Sequence, residues 1–262
     1  MGENYPILEF DPAPSAIIEP HARPLPGGTP RKAVLCFFQD VLTELVDKGQ
    51  LRPVGHLVSE IGKNLIYEFS GTAVAAGPEN RMLVMHPGVG AALAVGFMEE
   101  IIGMGVRQLI ACGGCGVLMS DMAAGHALVL SSAVRDEGTS YHYLPPGREV
   151  SASPQAVAVL EQVLQEHKVP YQTGKSWTTD GLYRETQAKR DRRLAEGCLV
   201  VEMEAAAFFA VAQFRRVTFG QVVYGGDLVV PQGWDKRSWD RRTTVRQALF
   251  WLGVEACQKL SD

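Results

Sequence analysis

Short apolar runs alternate with amphipathic segments along most of this chain. AVLCFF (33–38) has the continuous apolar pattern of a buried strand, and QDVLTELVDKG (39–49) has the spacing of a helix stopped by Gly49. HLVSEI, NLIYEF and TAVAAG read as antiparallel strands separated by turns. RMLVMH (81–86) is a further strand ending in the turn PGVG, followed by a helix over 91–105 and a strand over 107–112. The second half predicts a strand at HALVLSSAV, a helix at PQAVAVLEQVLQEHK, a strand at YQTGKSW and a polar helix from about Leu182. The strand CLVV (198–201), the helix EAAAFFAVAQF, the strand TFGQVVY and a helix ending near Leu260 complete it. Strands alternating with helices predict an α/β fold, a single domain with a central mixed β-sheet flanked by helices.

Residues 1–31 break this pattern. They hold seven of the 15 prolines, so they read as an extended arm, with the folded domain over 32–262. The 262 residues and 46% apolar content allow a full core, and a net charge of −4 argues against a nucleic-acid partner. No stretch approaches 18 uninterrupted apolar residues, and MGENYP lacks the basic and apolar regions of a signal peptide, so no membrane partner is expected. Five cysteines, an odd number, suggest free thiols in a reducing compartment, and a cytoplasmic location is expected.

In α/β sheets ligands gather beyond the C-terminal strand ends. Four predicted ends carry unusual residues: HPGVG (86–90), CGGCG (112–116), VEME (201–204) and GGD (225–227). Glu202 and Glu204 stand where a buried strand becomes a buried helix. One can cap the helix with the other solvated, or the pair can hold a ligand, since a buried carboxylate is costly without a partner. A vicinal diol suits such a carboxylate, because both hydroxyls can donate to it. Asp227 after two glycines is either a turn residue or a site acid. The CGGC stretch raises a redox or metal reading. No second Cys-x-x-Cys exists and VLMSDM is a poor helix, so Gly113 and Gly114 read better as a close backbone approach to a small ligand.

With these motifs together, the sequence resembles the type I nucleoside phosphorylases and nucleosidases. VEMEAAAFFAVA matches their ribose-binding motif, and GVGAALAVGFMEEIIGMGVRQLIACGGCG follows their glycine turn, helix, strand and second glycine turn. The resemblance covers roughly residues 32–260. It implies that Glu204 holds the ribose hydroxyls, Met203 packs against the sugar and Glu202 assists. Asp227 would be the acid beside the base. SWTTDGLYRET (176–186) matches the base-binding stretch, which brings in Thr178, Thr179, Leu182, Tyr183 and Arg184. Their other reading is a helix start, with Thr179 or Asp180 as cap. His86, Gly88 and Gly90 fall at the pocket edge, where a histidine satisfied at a strand end is the alternative reading.

The resemblance also implies cleavage of an N-glycosidic bond, with inorganic phosphate as possible co-substrate and no organic cofactor or metal. The family's phosphate-gripping arginine and threonine are replaced here by Ala111 and Gly114, and its first phosphate loop by FFQDVLTE (37–44). Phosphorolysis of a purine or pyrimidine nucleoside is the leading expectation. Hydrolysis, with Asp40 or Glu44 as possible water-activating acids, and a catalytically silent nucleoside-binding protein are the alternatives. A homo-oligomer, dimer or trimer of dimers, is expected from the same resemblance.

Overall fold

The computed structural model describes residues 5–20, 23–70, 74, 77 and 80–261. Its strands are β1 (Lys32–Cys36), β2 (Leu51–Ser59), β3 (Gly62–Phe69), β4 (Met82–Met85), β5 (Gln108–Val117), β6 (Ala127–Asp136), β7 (Glu149–Ser151), β8 (Tyr171–Thr179), β9 (Cys198–Glu202), β10 (Thr218–Val230) and β11 (Gly233–Asp235). Its helices are α1 (Gln39–Asp47), α2 (Ala91–Met104), α3 (Pro154–Glu166), α4 (Gln187–Ala195), α5 (Ala205–Arg215) and α6 (Thr243–Lys259). All the strands belong to one mixed sheet. The strand expected at TAVAAG lies largely outside the described residues.

The sheet is organised around β5. One edge of β5 pairs in parallel with β10, from Gln108 opposite Thr218 to Val117 opposite Leu228. The other edge is shared. β1 runs parallel to it as far as Cys112, and β9 runs antiparallel to it at Gly116 and Val117. β1 leads outward through β4 and β3 to β2, an open wing. β9 leads through β8 and β6 back to β10, so five strands close into a ring. Between Cys112 and Gly116, then, β5 has a strand on one side only. The sheet splits there, and Gly114 is exposed within a strand that is otherwise buried.

Two strands called short by the sequence pattern are therefore longer. CGGCG is not a turn after a strand ending at 112 but the second half of β5, held straight by its long pairing with β10. GGD likewise lies inside β10, at a register irregularity between Gly225 and Leu228. The polar helix expected from Leu182 begins at Gln187. A 3-10 turn, Leu182–Arg184, precedes it, and the Thr186 hydroxyl caps α4 by accepting from the Lys189 N–H.

Helices cover both sides of this sheet. α2 and α5 bury Ala94, Val95, Met98, Phe208 and Phe209 against one side, and α1, α3 and α6 bury Leu42, Leu160 and Phe250 against the other. α5 is apolar all round because it is buried all round, from Ala205 to Ala212. The N-terminal arm is laid on this domain, with Pro20 against Gly103, Leu25 against Gly55 and Ile7 beside Gly138. Among the described residues no helix is long and apolar enough to cross a membrane.

Candidate active site

The split in the sheet gathers the C-terminal ends of β1, β8 and β9, with β4 beside β1, around the middle of β5. β9 ends in Glu202 and passes through Met203 and Glu204 into α5. The two glutamates do different work. Glu202 accepts four hydrogen bonds, from the Ser176 hydroxyl (2.9 Å) and Thr178 hydroxyl (2.5 Å) on one oxygen and from the Glu204 and Ala205 N–H groups (both 2.7 Å) on the other. Thr178 also accepts from the Ala206 N–H at 3.0 Å. Glu202 and Thr178 thus cap a helix start that has no side-chain cap from Glu204.

Glu204 is 5% exposed and receives the Gly90 N–H at 2.5 Å. Its partners are backbone N–H groups, of Gly90 and Met203. Burial pushes both carboxyls above the usual range, and on Glu202 the four donors oppose it. The proton is therefore held on Glu204, whose pKa is pushed up to about 8 by burial and by the charge of Glu202. Gly90 reaches Glu204 because the loop before α2 turns twice through positive φ, +83° at Gly88 and +90° at Gly90, where other residues are strained.

His86 stabilises the same loop. Its Nδ1 accepts the Gly88 N–H at 3.0 Å, its backbone carbonyl accepts from the Asn64 amide at 2.7 Å, and Phe37 meets its ring edge-on at 5.9 Å. Burial lowers its pKa, so the ring is neutral at pH 7. Phe37 also lies across β5, where a Cβ on Gly113 would stand 3.1 Å from its ring. Gly114 faces Tyr224 on the opposite side, at a looser 3.5 Å.

Asp227 is half-buried on β10, and the Trp234 indole N–H donates to its Oδ2 at 2.6 Å. A Cβ on Gly116 would sit 3.6 Å from that oxygen and 2.9 Å from Val201, so one residue of β5 separates the Asp227 strand from the strand bearing Glu202. Cys115 feels both carboxylates, and burial with these charges pushes its thiol well up. Cys112 and Cys115 fall in the cores on opposite sides of the sheet, as residues three apart on a strand must. All five cysteines are free and buried. Among the described residues, no group of three or more metal-binding side chains exists.

The remaining sequence-derived candidates divide by position. Thr179 is buried at the end of β8, and its hydroxyl accepts from the Gly181 N–H at 3.2 Å. Leu182, Tyr183 and Arg184 form the exposed 3-10 turn beyond it, with Tyr183 at 91% exposure. Asp40 and Glu44 lie on α1, Asp40 bonded by Arg246 at 2.7 Å and Glu44 by Lys48 and Gln247. Sequence reasoning missed Glu185, whose carboxyl is pushed up to about 7 by burial and by Asp227. It also missed Trp234 and the Phe37 lid over Gly113. The acid in YRET was legible as a residue type. The hairpin that brings an indole back onto Asp227 was not.

The model of the phosphorylase superfamily matches residues 32–248, and the chain belongs to that family. It is 30% identical over 151 residues to the guanosine phosphorylase of Halorubrum lacusprofundi, covering 56% of this chain and 62% of that enzyme, less than two thirds of its length. It is 26% identical to the purine nucleoside phosphorylase of Plasmodium vivax (69% of this chain, 75% of that one). It is 29% identical to the uridine phosphorylase of Treponema pallidum (63% and 67%). Among solved structures, the fold is similar to purine nucleoside phosphorylase from Toxoplasma gondii in complex with immucillin-H, with a TM-score of 0.74 at 18% identity, covering 93% of this chain and 96% of that one. It is also similar to AMP nucleosidase from Bacteroides thetaiotaomicron, with a TM-score of 0.69 at 20% identity and 87% coverage of each.

Proposed function

We propose that this protein cleaves the N-glycosidic bond of a nucleoside, a purine nucleoside first, and passes the ribosyl group to inorganic phosphate. The observation that carries this reading is Glu204, a buried carboxyl held by backbone N–H groups at the split of the sheet, with a second acid, Asp227, across the width of β5. Strands β9 and β10 flank β5 there, about 10 Å apart at ordinary strand spacing, a span suited to a sugar at one end and a base at the other. Glu204, once ionised, accepts the ribose hydroxyls and stabilises the positive charge that grows on the ring as the bond breaks. Asp227 faces the departing base. Glu202 and Thr178 set the start of α5 and hence the direction of Glu204. Met203 packs at the sugar, and Leu182, Tyr183 and Arg184 border the base end. The names of the relatives, guanosine, purine nucleoside and uridine phosphorylases, support transfer to phosphate.

A specific observation favours water as a second possible acceptor. Among the described residues no guanidinium or ammonium bonds to Glu204, His86, Gly88 or Gly90, and Phe37 covers Gly113. A phosphate dianion here rests on backbone N–H groups and on cations brought from elsewhere. Exposed Val58, Ile61 and Leu65 on the β2–β3 hairpin, with Val89 beside the site, support self-association, which a second copy's residues can use to complete the site. Base release from inosine, guanosine, adenosine and uridine, measured with and without phosphate, tests the reading. Ribose 1-phosphate formed only with phosphate supports it, free ribose at equal rates supports hydrolysis, and no release from any substrate overturns both.

A further inference from the structure

The N-terminal arm lies ahead of the segment that defines the family, 32–248, yet the domain is shaped to seat it. A Cβ on Gly103, inside α2, would stand 2.9 Å from Pro20, and one on Gly55 of β2 would stand 2.7 Å from Leu25. Glycine weakens a helix or strand, and here the arm fills the room it leaves. Polar contacts follow the same path. Arg81 donates to the Gly27 and Gly28 carbonyls, both at 3.1 Å. Arg215, at the end of α5, bridges Glu99 of α2 (2.7 Å) and Glu19 of the arm (3.5 Å). Further along, the 3-10 turn Pro6–Leu8 packs on the turn Thr139–His142. A Cβ on Gly138 would stand 3.7 Å from Ile7 and 3.8 Å from Asp180 Oδ2, and the Gly138 N–H donates to that oxygen at 2.9 Å. The other side of Gly138 is pinned. Buried Glu137 accepts the Ser140 N–H at 2.9 Å, and Arg135 donates to the Ser140 hydroxyl and to the Leu144 and Pro145 carbonyls.

We infer that the arm positions the turn Leu182–Arg184, and that Ile7 is the positioning residue through which it acts. This rests on the nucleoside-cleaving reading, in which that turn borders the base. None of the three turn residues is buried, so the turn is held at its root. The root is Thr179 and Asp180: the Gly181 N–H donates to the Thr179 hydroxyl at 3.2 Å, and the Arg184 N–H closes the turn on the Gly181 carbonyl at 2.7 Å. Asp180 in turn leans on Gly138, and Ile7 presses on Gly138 from the arm. A site is only as well placed as the residues that support it. Glu204 and Asp227 make no contact with this chain of residues, so loosening it weakens binding of the base and leaves bond cleavage in the bound complex nearly intact.

The test compares the full-length wild type with Ile7→Ser and Ile7→Leu, by inosine turnover and by hydrogen exchange of the segment 180–186. Ile7→Ser is expected to raise KM by about tenfold, to leave kcat within a few-fold, and to speed exchange in that segment several-fold. Leucine, which keeps the apolar contact, should restore both. An unchanged KM in Ile7→Ser overturns the proposal, as does exchange that stays at the wild-type rate. Equal losses in kcat and kcat/KM would also overturn it, because they would place the effect on the bond-breaking step. A wild type that cleaves no nucleoside removes the reading of the turn as the base end, and exchange then decides alone whether the arm holds it.

Discussion

Two glutamates separated by one methionine differ because their donors are distributed unequally. Burial raises both carboxyls, but Glu202 collects four hydrogen bonds that oppose it and fix its position, whereas Glu204 has only backbone N–H groups and feels the Glu202 charge. Substituting each should therefore fail differently. Glu204→Gln is expected to keep or slightly raise stability, since it removes a buried acid, while lowering kcat by about 10²–10³-fold. Glu202→Gln is expected to cost about 1–3 kcal/mol, because a charge-assisted cap is lost, and to lower kcat less, through a tilted α5. Urea unfolding and steady-state turnover on the same two proteins check both. If Glu204→Gln turned over normally, its place at the sugar would be lost. The VEME pair was legible in the sequence as chemistry. What one-dimensional reading left open was which acid serves the helix, because the deciding donors, Ser176 and Thr178, come from a strand more than twenty residues upstream.

At the scale of elements, β5 explains the Cys-x-x-Cys. The strand carries glycines where β1 has ended and β9 has not begun, so Gly114 is left exposed and the cysteines on either side point into separate cores. Most helices and strands were legible from apolar spacing, and their limits fell within a few residues. β5 and β10 were cut short in that reading because glycine suggests a turn, and pairing with each other overrides it. The glycines are not equivalent. A Cβ at Gly116 would meet Val201 at 2.9 Å and Val229 at 3.3 Å, between β9 and β10, whereas one at Gly114 has ordinary contact with Tyr224 at 3.5 Å. Gly116→Ala is expected to destabilise by about 1–3 kcal/mol through overpacking and to lower kcat/KM by about tenfold or more as β9 and β10 are pushed apart. Gly114→Ala should stay within a few-fold of wild type. Thermal unfolding with kinetics on both variants separates them, and equal behaviour would refute this account of the strand.

The whole molecule retains protons where the sheet splits, which apolar spacing and motifs do not reveal, since the effect depends on a ring closed by β9 meeting β5 far along the chain. In the unfolded chain a glutamate loses its proton near 4.5, whereas folded Glu204 keeps one to about 8. Above pH 4.5 the native state then binds more protons than the unfolded state, so stability falls as pH rises until the folded group also ionises. Glu185 adds a smaller contribution of the same sign up to about 7, reduced by its exposure. His86 acts oppositely, because burial lowers its pKa, but only below its ordinary value of 6.5. Between pH 7 and 8 the Glu204 contribution stands largely alone. Unfolding free energy of the unliganded protein is expected to fall across that interval, at a limit of about 1.4 kcal/mol per pH unit for one retained proton. Glu204→Gln should flatten the fall. A bound nucleoside that needs the ionised carboxylate should bind more tightly as pH rises toward 8, offsetting the loss with its own affinity. Urea midpoints at pH 7.0, 7.5 and 8.0, with and without inosine, measure all three effects, and a wild type as flat as the variant would show that Glu204 is already ionised in the folded protein.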